Sequence, residues 1–93
     1  VNRNIKSYEV GNTIKFTCIS SGMSASPIFS NLFDGSETLV GSVSATDSGN
    51  GHYYANHLMP NTPGYYVNRW NFTVSALSYS AARKFQVVRT EVD

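Results

Sequence analysis

The chain has 93 residues, 41% of them hydrophobic and 14% charged, and seven basic residues against six acidic give a formal net charge of +1. That length holds one modest core and not two. The apolar share excludes a disordered polar chain, and the near-balanced charge excludes the strong attraction on which nucleic-acid and anionic-membrane binding depend.

No apolar run reaches the roughly 20 residues of a spanning helix, so no membrane insertion is expected. The lone cysteine, Cys18, leaves no partner for a disulfide within these residues. The small charged share is made up by Ser, Thr and Asn, a composition that suits β-proteins, secreted modules and phage-type structural proteins. The chain opens on Val1 without a signal-peptide pattern and stops at Val92-Asp93. Residues 1–93 therefore read as a single domain excised from a longer protein.

No stretch repeats apolar residues at helical spacing, so helices are not expected. Strand-like runs recur instead, separated by Gly, Ser, Asn, Asp and Pro clusters. The first, Ile5 to Val10, ends at the Gly11-Asn12 turn. The second alternates, with Ile14, Phe16 and Cys18 on one face and Thr13, Lys15 and Thr17 on the other, as a half-buried strand does. Ser20 to Ser26 is small and polar and reads as a loop. Pro27 opens the run Ile28 to Phe33, which has apolar residues on both parities. Asp34-Gly35-Ser36 is a hairpin signal, with Gly35 expected to supply the positive φ of a tight turn.

Glu37 to Ala45 carries Leu39, Val43 and Ala45 on one face, with Gly41 between them marking a bulge or close backbone approach. Thr46 to Gly51 reads as a loop. Two aromatic runs follow, Gly51 to Pro60 and Tyr65 to Val74, joined by Asn61-Thr-Pro-Gly64. They are expected to be adjacent antiparallel strands, because aromatic and β-branched side chains fit a pleated, half-buried surface. In the second, Tyr66, Trp70, Phe72 and Val74 share the inward parity, and Arg69, Asn71 and Thr73 face water. Ser75 to Ser80 is expected to turn into a last strand holding Phe85 and Val87. Arg83, Lys84 and Arg89 there read as a solvated face. The expected fold class is all-β, a sandwich of seven antiparallel strands.

Reactive chemistry finds little footing. Cys18 lies on the apolar parity, where a free thiol behaves as a small hydrophobe. His52 and His57 are five apart, so a strand sends them to opposite faces, and both read as surface or strand-end residues. Asp34, Glu37 and Asp47 are too dispersed for a calcium loop. No nucleophile elbow, phosphate loop or metal-ligand spacing occurs, so neither catalysis nor a cofactor is expected. Asn71-Phe72-Thr73 satisfies the glycosylation sequon, which a bacterial or phage source would leave bare.

The aromatic residues are the remaining candidates. Those on the inward parity fill a core short of large aliphatics. Tyr54 and Tyr65 stand on the other parity and are the candidate ligand-stacking residues, since flat rings pack on sugar faces. Tyr66, just after Pro63-Gly64, is placed to make a tyrosine-corner bond from its hydroxyl to backbone.

Two motifs carry a family resemblance. Asp47-Ser-Gly-Asn-Gly-His-Tyr-Tyr-Ala55 resembles the Asp-x-Gly-x-Tyr-x-Cys element of antibody-type domains, and Phe16-Thr-Cys18 resembles their cysteine-bearing second strand. Yet Ala55 stands where the cysteine belongs and two extra residues precede Tyr53, which excludes a true antibody-type domain. The pattern of Gly51, Tyr53, Leu58, Pro60, Pro63, Gly64, Tyr66, Trp70 and Phe72 is closer to another group, as is Tyr8, Gly11, Asn12, Thr13 opening the second strand. Both resemble the macroglobulin-like and related immunoglobulin-like modules of bacterial and phage surface proteins. The resemblance implies a seven-stranded immunoglobulin-like sandwich serving as a non-catalytic structural, spacer or adhesion module, extracellular, on a cell surface or on a virion. Its partners would be neighbouring domains or other proteins. The alternative is a carbohydrate-binding module, with a glycan held by Tyr54 and Tyr65.

Overall fold

A chain with no helix-forming pattern and many alternating runs satisfies its backbone by pairing strands, and here it does so in two sheets. The computed structural model describes residues 5–19, 29–74 and 77–91, with the side chains of residues 72–74 and 79 outside that set. Among the described residues there are eight strands: β1 (Lys6–Glu9), β2 (Thr13–Ile19), β3 (Phe29–Phe33), β4 (Leu39–Ser44), β5 (Thr46–Gly49), β6 (His52–Leu58), β7 (Gly64–Val74) and β8 (Leu77–Val88). One sheet has the order β1-β8-β7-β3-β4 and the other β2-β6-β5. The expectation of an all-β, two-sheet sandwich is met. The Ser20–Ser26 loop, residues 75–76 of the expected last turn, and Phe72, Thr73 and Val74 as inward or outward side chains lie outside the described residues. Residues 77–80, expected to belong to that turn, are instead the start of β8, paired with β7 from Val74 opposite Leu77 to Asn71 opposite Ser80.

Several expectations are corrected. Among the described residues there is one strand more than the seven expected, because Thr46–Gly49, read as a loop, is an edge strand paired to β6. All four of its residues are exposed, and a strand with nothing to bury keeps the polar composition of a loop. The sandwich is not wholly antiparallel, since β1 runs parallel to β8, with Lys6 opposite Phe85 and Glu9 opposite Val88. Val10 N donates to Val88 O (3.0 Å). Thr90 N donates to Glu9 Oε1 (3.2 Å), and the Thr90 hydroxyl donates to Glu9 Oε2.

The two aromatic runs, β6 and β7, are not neighbours. β6 pairs with β2 and β5, while β7 pairs with β3 and β8. Their alternation is genuine, but inward parity looks the same in a hairpin and in two strands that face each other across a core. Asn61–Gly64 is therefore a corner between sheets. Tyr66 Oη donates to Thr62 O at 2.6 Å, and Arg89 Nη2 donates to Asn61 O at 2.6 Å from the end of β8.

Turn chemistry at Asp34 also differs from expectation. The positive φ belongs to Glu37 (63°) and not to Gly35. Asp34 Oδ1 accepts from Ser36 N (2.8 Å) and Thr38 N (3.0 Å), and Glu37 N donates to Asp34 O (3.0 Å). The carboxylate thus organises a longer loop than a two-residue hairpin. Just before it the register slips between Leu32 and Phe33, so that Leu32 faces Gly41 and Phe33 faces Leu39. The slip carries Leu39 outward, exposed and off the face it was expected to share with Val43 and Ala45. Gly41 remains inward, and a Cβ there would lie 3.8 Å from Leu32 and 3.9 Å from His57 Nδ1.

The core lies between the sheets. Phe16, Leu32, Tyr53, Ala55, Met59, Tyr66, Trp70, Phe85 and Val87 are buried, with Tyr8, Ile14, Cys18 and Val43 packed against them. Phe85 is its aromatic hub, with ring centroids 5.2 Å from Phe16, 5.7 Å from Tyr8 and 5.9 Å from Tyr66. Truncating a ring so enclosed typically costs about 3–5 kcal/mol.

Candidate functional site

The parity that buries Tyr53 and Ala55 in β6, and Met59 just after it, also buries His57, which is only 2% exposed. Expected at the surface, this histidine faces the inside of the opposite sheet. Its Nε2 lies 2.9 Å from the hydroxyl of Ser30 on β3, and its ring meets Phe16 edge-on at 5.4 Å. Ser30 is fully buried and Asn68 on β7 nearly so. Asn68 Nδ2 donates to Ser30 Oγ (2.7 Å) and to Asn31 O (3.3 Å), while Trp70 Nε1 donates to Asn68 Oδ1 (2.7 Å). The chain Trp70–Asn68–Ser30–His57 therefore links the two sheets through their shared interior. Among the described residues no buried side-chain polar atom lacks a partner.

A serine hydroxyl in contact with an imidazole is the arrangement of an activated nucleophile. Here it lacks what that chemistry needs. Ser30 is fully buried, its oxygen already accepts from Asn68, and among the described residues no carboxylate is hydrogen-bonded to the ring. A serine has one proton and two lone pairs, so Ser30 can accept from Asn68 while donating to an unprotonated Nε2. Burial pushes the His57 pKa below its ordinary 6.5, because a charged ring loses its hydration there. The group is built to be neutral and structural.

Cys18, inward on β2, is half-buried, and burial pushes its thiol above the ordinary value. A less ionised thiol is a poorer nucleophile. Burial, with the Asp34 carboxylate adding to it, also pushes the Tyr66 phenol up, which keeps its hydroxyl a donor to Thr62. Asp47 Oδ1 accepts from Gly49 N (2.8 Å), so Asp34 and Asp47 both serve as turn caps. Among the described residues no three His, Cys, Asp or Glu side chains converge as a metal site would require. His52 is exposed.

The two candidate stacking residues are not brought together. Tyr54 is on the outer face of the β2-β6-β5 sheet, opposite Thr17 and covered by Lys15, whose Nζ is 4.7 Å from the ring centroid. Tyr65, 50% exposed, is on the outer face of the other sheet, with Lys84 Nζ 5.0 Å from its ring. A flat ligand can stack on one or the other, not on both.

The sequence reading placed His57 at the surface and passed over Ser30 and Asn68. The signal was present, since Asn68 lies between Tyr66 and Trp70 on the parity assigned inward. A shallow hollow of about 290 Å³ lined by Phe29, Asn31, Ser42 and Asn71 also went unread. It lies on the outer face of the larger sheet, where Phe29 is 41% exposed and Ser42 Oγ donates to Asn31 Oδ1 (2.7 Å). No family model, curated protein or solved structure matches the chain.

Proposed function

We propose that this chain is a non-catalytic immunoglobulin-like module, a structural spacer or adhesion unit of a larger bacterial surface or phage particle protein. What supports the reading most is the corner at Thr62–Asn68. In antibody-type domains a tyrosine two residues before the second cysteine bonds back to the chain at the start of its strand. Tyr66 does this from the start of β7. Thr62-Pro63-Gly64-Tyr65-Tyr66-Val67-Asn68 then falls on Asp-x-Gly-x-Tyr-x-Cys more closely than the Asp47–Ala55 segment does, with Asn68 in the cysteine's place. The Trp70–Asn68–Ser30–His57 chain replaces a disulfide as the link between sheets. The five-plus-three strand order, split at the β4–β5 crossing, agrees with such a sandwich.

The path of the chain supports the spacer role. Because β1 and β8 run parallel, the polypeptide passes along this flank in one direction on both entry and exit. That suits modules joined end to end. In a head-to-tail fusion of two copies, small-angle scattering should give a maximum dimension near twice the 53 Å long axis of one copy. A side-by-side compact particle contradicts the spacer role. Robust hydrolase turnover abolished by Cys18→Ala contradicts the non-catalytic reading.

One observation favours carbohydrate binding as a second reading, and it moves the site. Phe29 with Asn31, Ser42 and Asn71 offers an apolar ring face flanked by amides and a hydroxyl, the combination that stacks and hydrogen-bonds a sugar. A glycan array on wild type, Phe29→Ala, Tyr54→Ala and Tyr65→Ala tests it. Binding lost only in Phe29→Ala supports the hollow, and no binding by the wild type removes the reading.

A further inference from the structure

Pairing across four strands puts one row of side chains on the outer face of the larger sheet: Leu39 on β4, Phe33 on β3, Val67 on β7 and Lys84 on β8. Tyr65 and Arg69 share that face, two residues to either side of Val67. Leu39 is 53% and Tyr65 50% exposed, Phe33 and Val67 are half-buried, and Arg69 and Lys84 are exposed. The patch is apolar and aromatic, with two cations on adjacent strands.

Both cations lie over rings. The Arg69 guanidinium carbon is 5.1 Å from the Phe33 centroid, and Lys84 Nζ is 5.0 Å from that of Tyr65. A cation resting on a ring has given up side-chain freedom in advance, yet keeps N–H donors for an anion. The chain itself supplies no such anion. Of its six acids, Glu9 holds Thr90, while Asp34 and Asp47 cap turns through backbone N–H groups. Among the described residues no carboxylate is paired with Arg69 or Lys84, each of which lies over a ring. The residues outside the described set carry a single acid, Asp93, which cannot neutralise both.

We propose that this face binds a polyuronate, a saccharide chain with a carboxylate on successive rings. Its carboxylates meet Arg69 and Lys84, and its sugar rings lie on Leu39, Val67 and Tyr65. The backbone favours a saccharide over an acidic peptide. β3 and β7 are interior strands, each paired on both sides, so their main-chain groups are already used and an extended peptide finds no ladder to join. A sugar needs only what the face offers, an apolar surface and charged donors. Two neighbouring cations also ask for two neighbouring carboxylates, which a run of uronic acids supplies and a single terminal acid does not. The inference rests on the carbohydrate reading in taking a saccharide as ligand, and it names a different part of the outer face from the hollow at Phe29.

A galacturonic-acid oligosaccharide and its methyl ester share one backbone and differ in charge, and calorimetric titration of the intact chain with each provides the test. The free acid is expected to bind, more weakly as salt is raised, and to shift the amide resonances of Phe33, Val67 and Lys84. The ester should not bind. R69Q/K84Q should bind the acid about tenfold more weakly or worse. K6Q/K15Q removes the same charge from exposed positions elsewhere, Lys15 lying over Tyr54 on the other sheet, and should bind as the wild type does. Circular dichroism checks the fold of both variants, and the comparison of acid with ester needs neither. Equal binding of acid and ester overturns the proposal and leaves the carbohydrate reading standing. So does binding that R69Q/K84Q leaves unchanged, or that K6Q/K15Q weakens equally, or that shifts resonances only on other faces. If neither form binds, the proposal fails, and the carbohydrate reading fails with it only if the wild type also binds nothing on the glycan array.

Discussion

At the scale of single residues, three side chains do work that their chemistry makes measurable. Tyr66 ties the β6–β7 corner with one phenol-to-carbonyl bond. Tyr66→Phe keeps the ring against Phe85 and removes only that bond, so a loss of about 1 kcal/mol is expected in urea unfolding. Glu37 holds a left-handed conformation, φ 63°, that costs an ordinary residue about 1 kcal/mol. It is exposed, so Glu37→Gly should raise stability by about 0.5–1 kcal/mol, read as a higher urea midpoint. His57 gives a pH signature. Its folded pKa is below the ordinary 6.5, so the unfolded chain binds the proton more tightly. Its contribution is fully present above about pH 6.5 and is lost as pH falls from there through the lower folded value. Urea midpoints at pH 7.5 and 5.5 should differ in the wild type, and His57→Gln should remove most of that dependence.

At the scale of elements, the strands differ in how firmly they are held. β5 has four exposed residues and a register slip between Asp47 and Gly49, whereas β6 lies between two neighbours and β7 pairs along both sides. Amide exchange should therefore be fastest in β5 and slowest in the centres of β6 and β7. Equal protection of β5 and β6 would contradict this ordering. The same contrast explains what could be read from sequence. Thr13 to Ile19 was legible because a strand with one wet face writes its parity into its residue types. Thr46–Gly49 was not, because it buries nothing. Leu39 was misplaced because one skipped residue beside Leu32 reverses the faces beyond it, and residue type does not record the slip. His57 was legible by parity but hidden by the habit of placing polar residues outside. Pairing was the least legible level, since β6 and β7 carry identical signals whether side by side or face to face.

At the scale of the whole molecule, the cross-sheet links are few and specific. The aromatic cluster about Phe85 packs rings from both sheets together, while Trp70–Asn68–Ser30–His57 fixes how one sheet is registered on the other. A buried polar chain is stabilising only when every member is satisfied, which here holds for the described side chains. Removing one link leaves a partner without its bond.

The parallel pairing of β1 with β8 has a mechanical consequence. When the domain is pulled by the chain entering β1 and the chain leaving β8, the two strands slide along each other, and the whole ladder from Lys6–Phe85 to Glu9–Val88 bears load at once. An antiparallel pair in that position would instead be peeled open one bond at a time. Stretched between two handles, the domain should resist until a single abrupt rupture. Val10→Pro, which deletes the amide donor to Val88 O, should lower that rupture force in optical-tweezer traces. A gradual extension without a distinct peak would show that the flank carries no load.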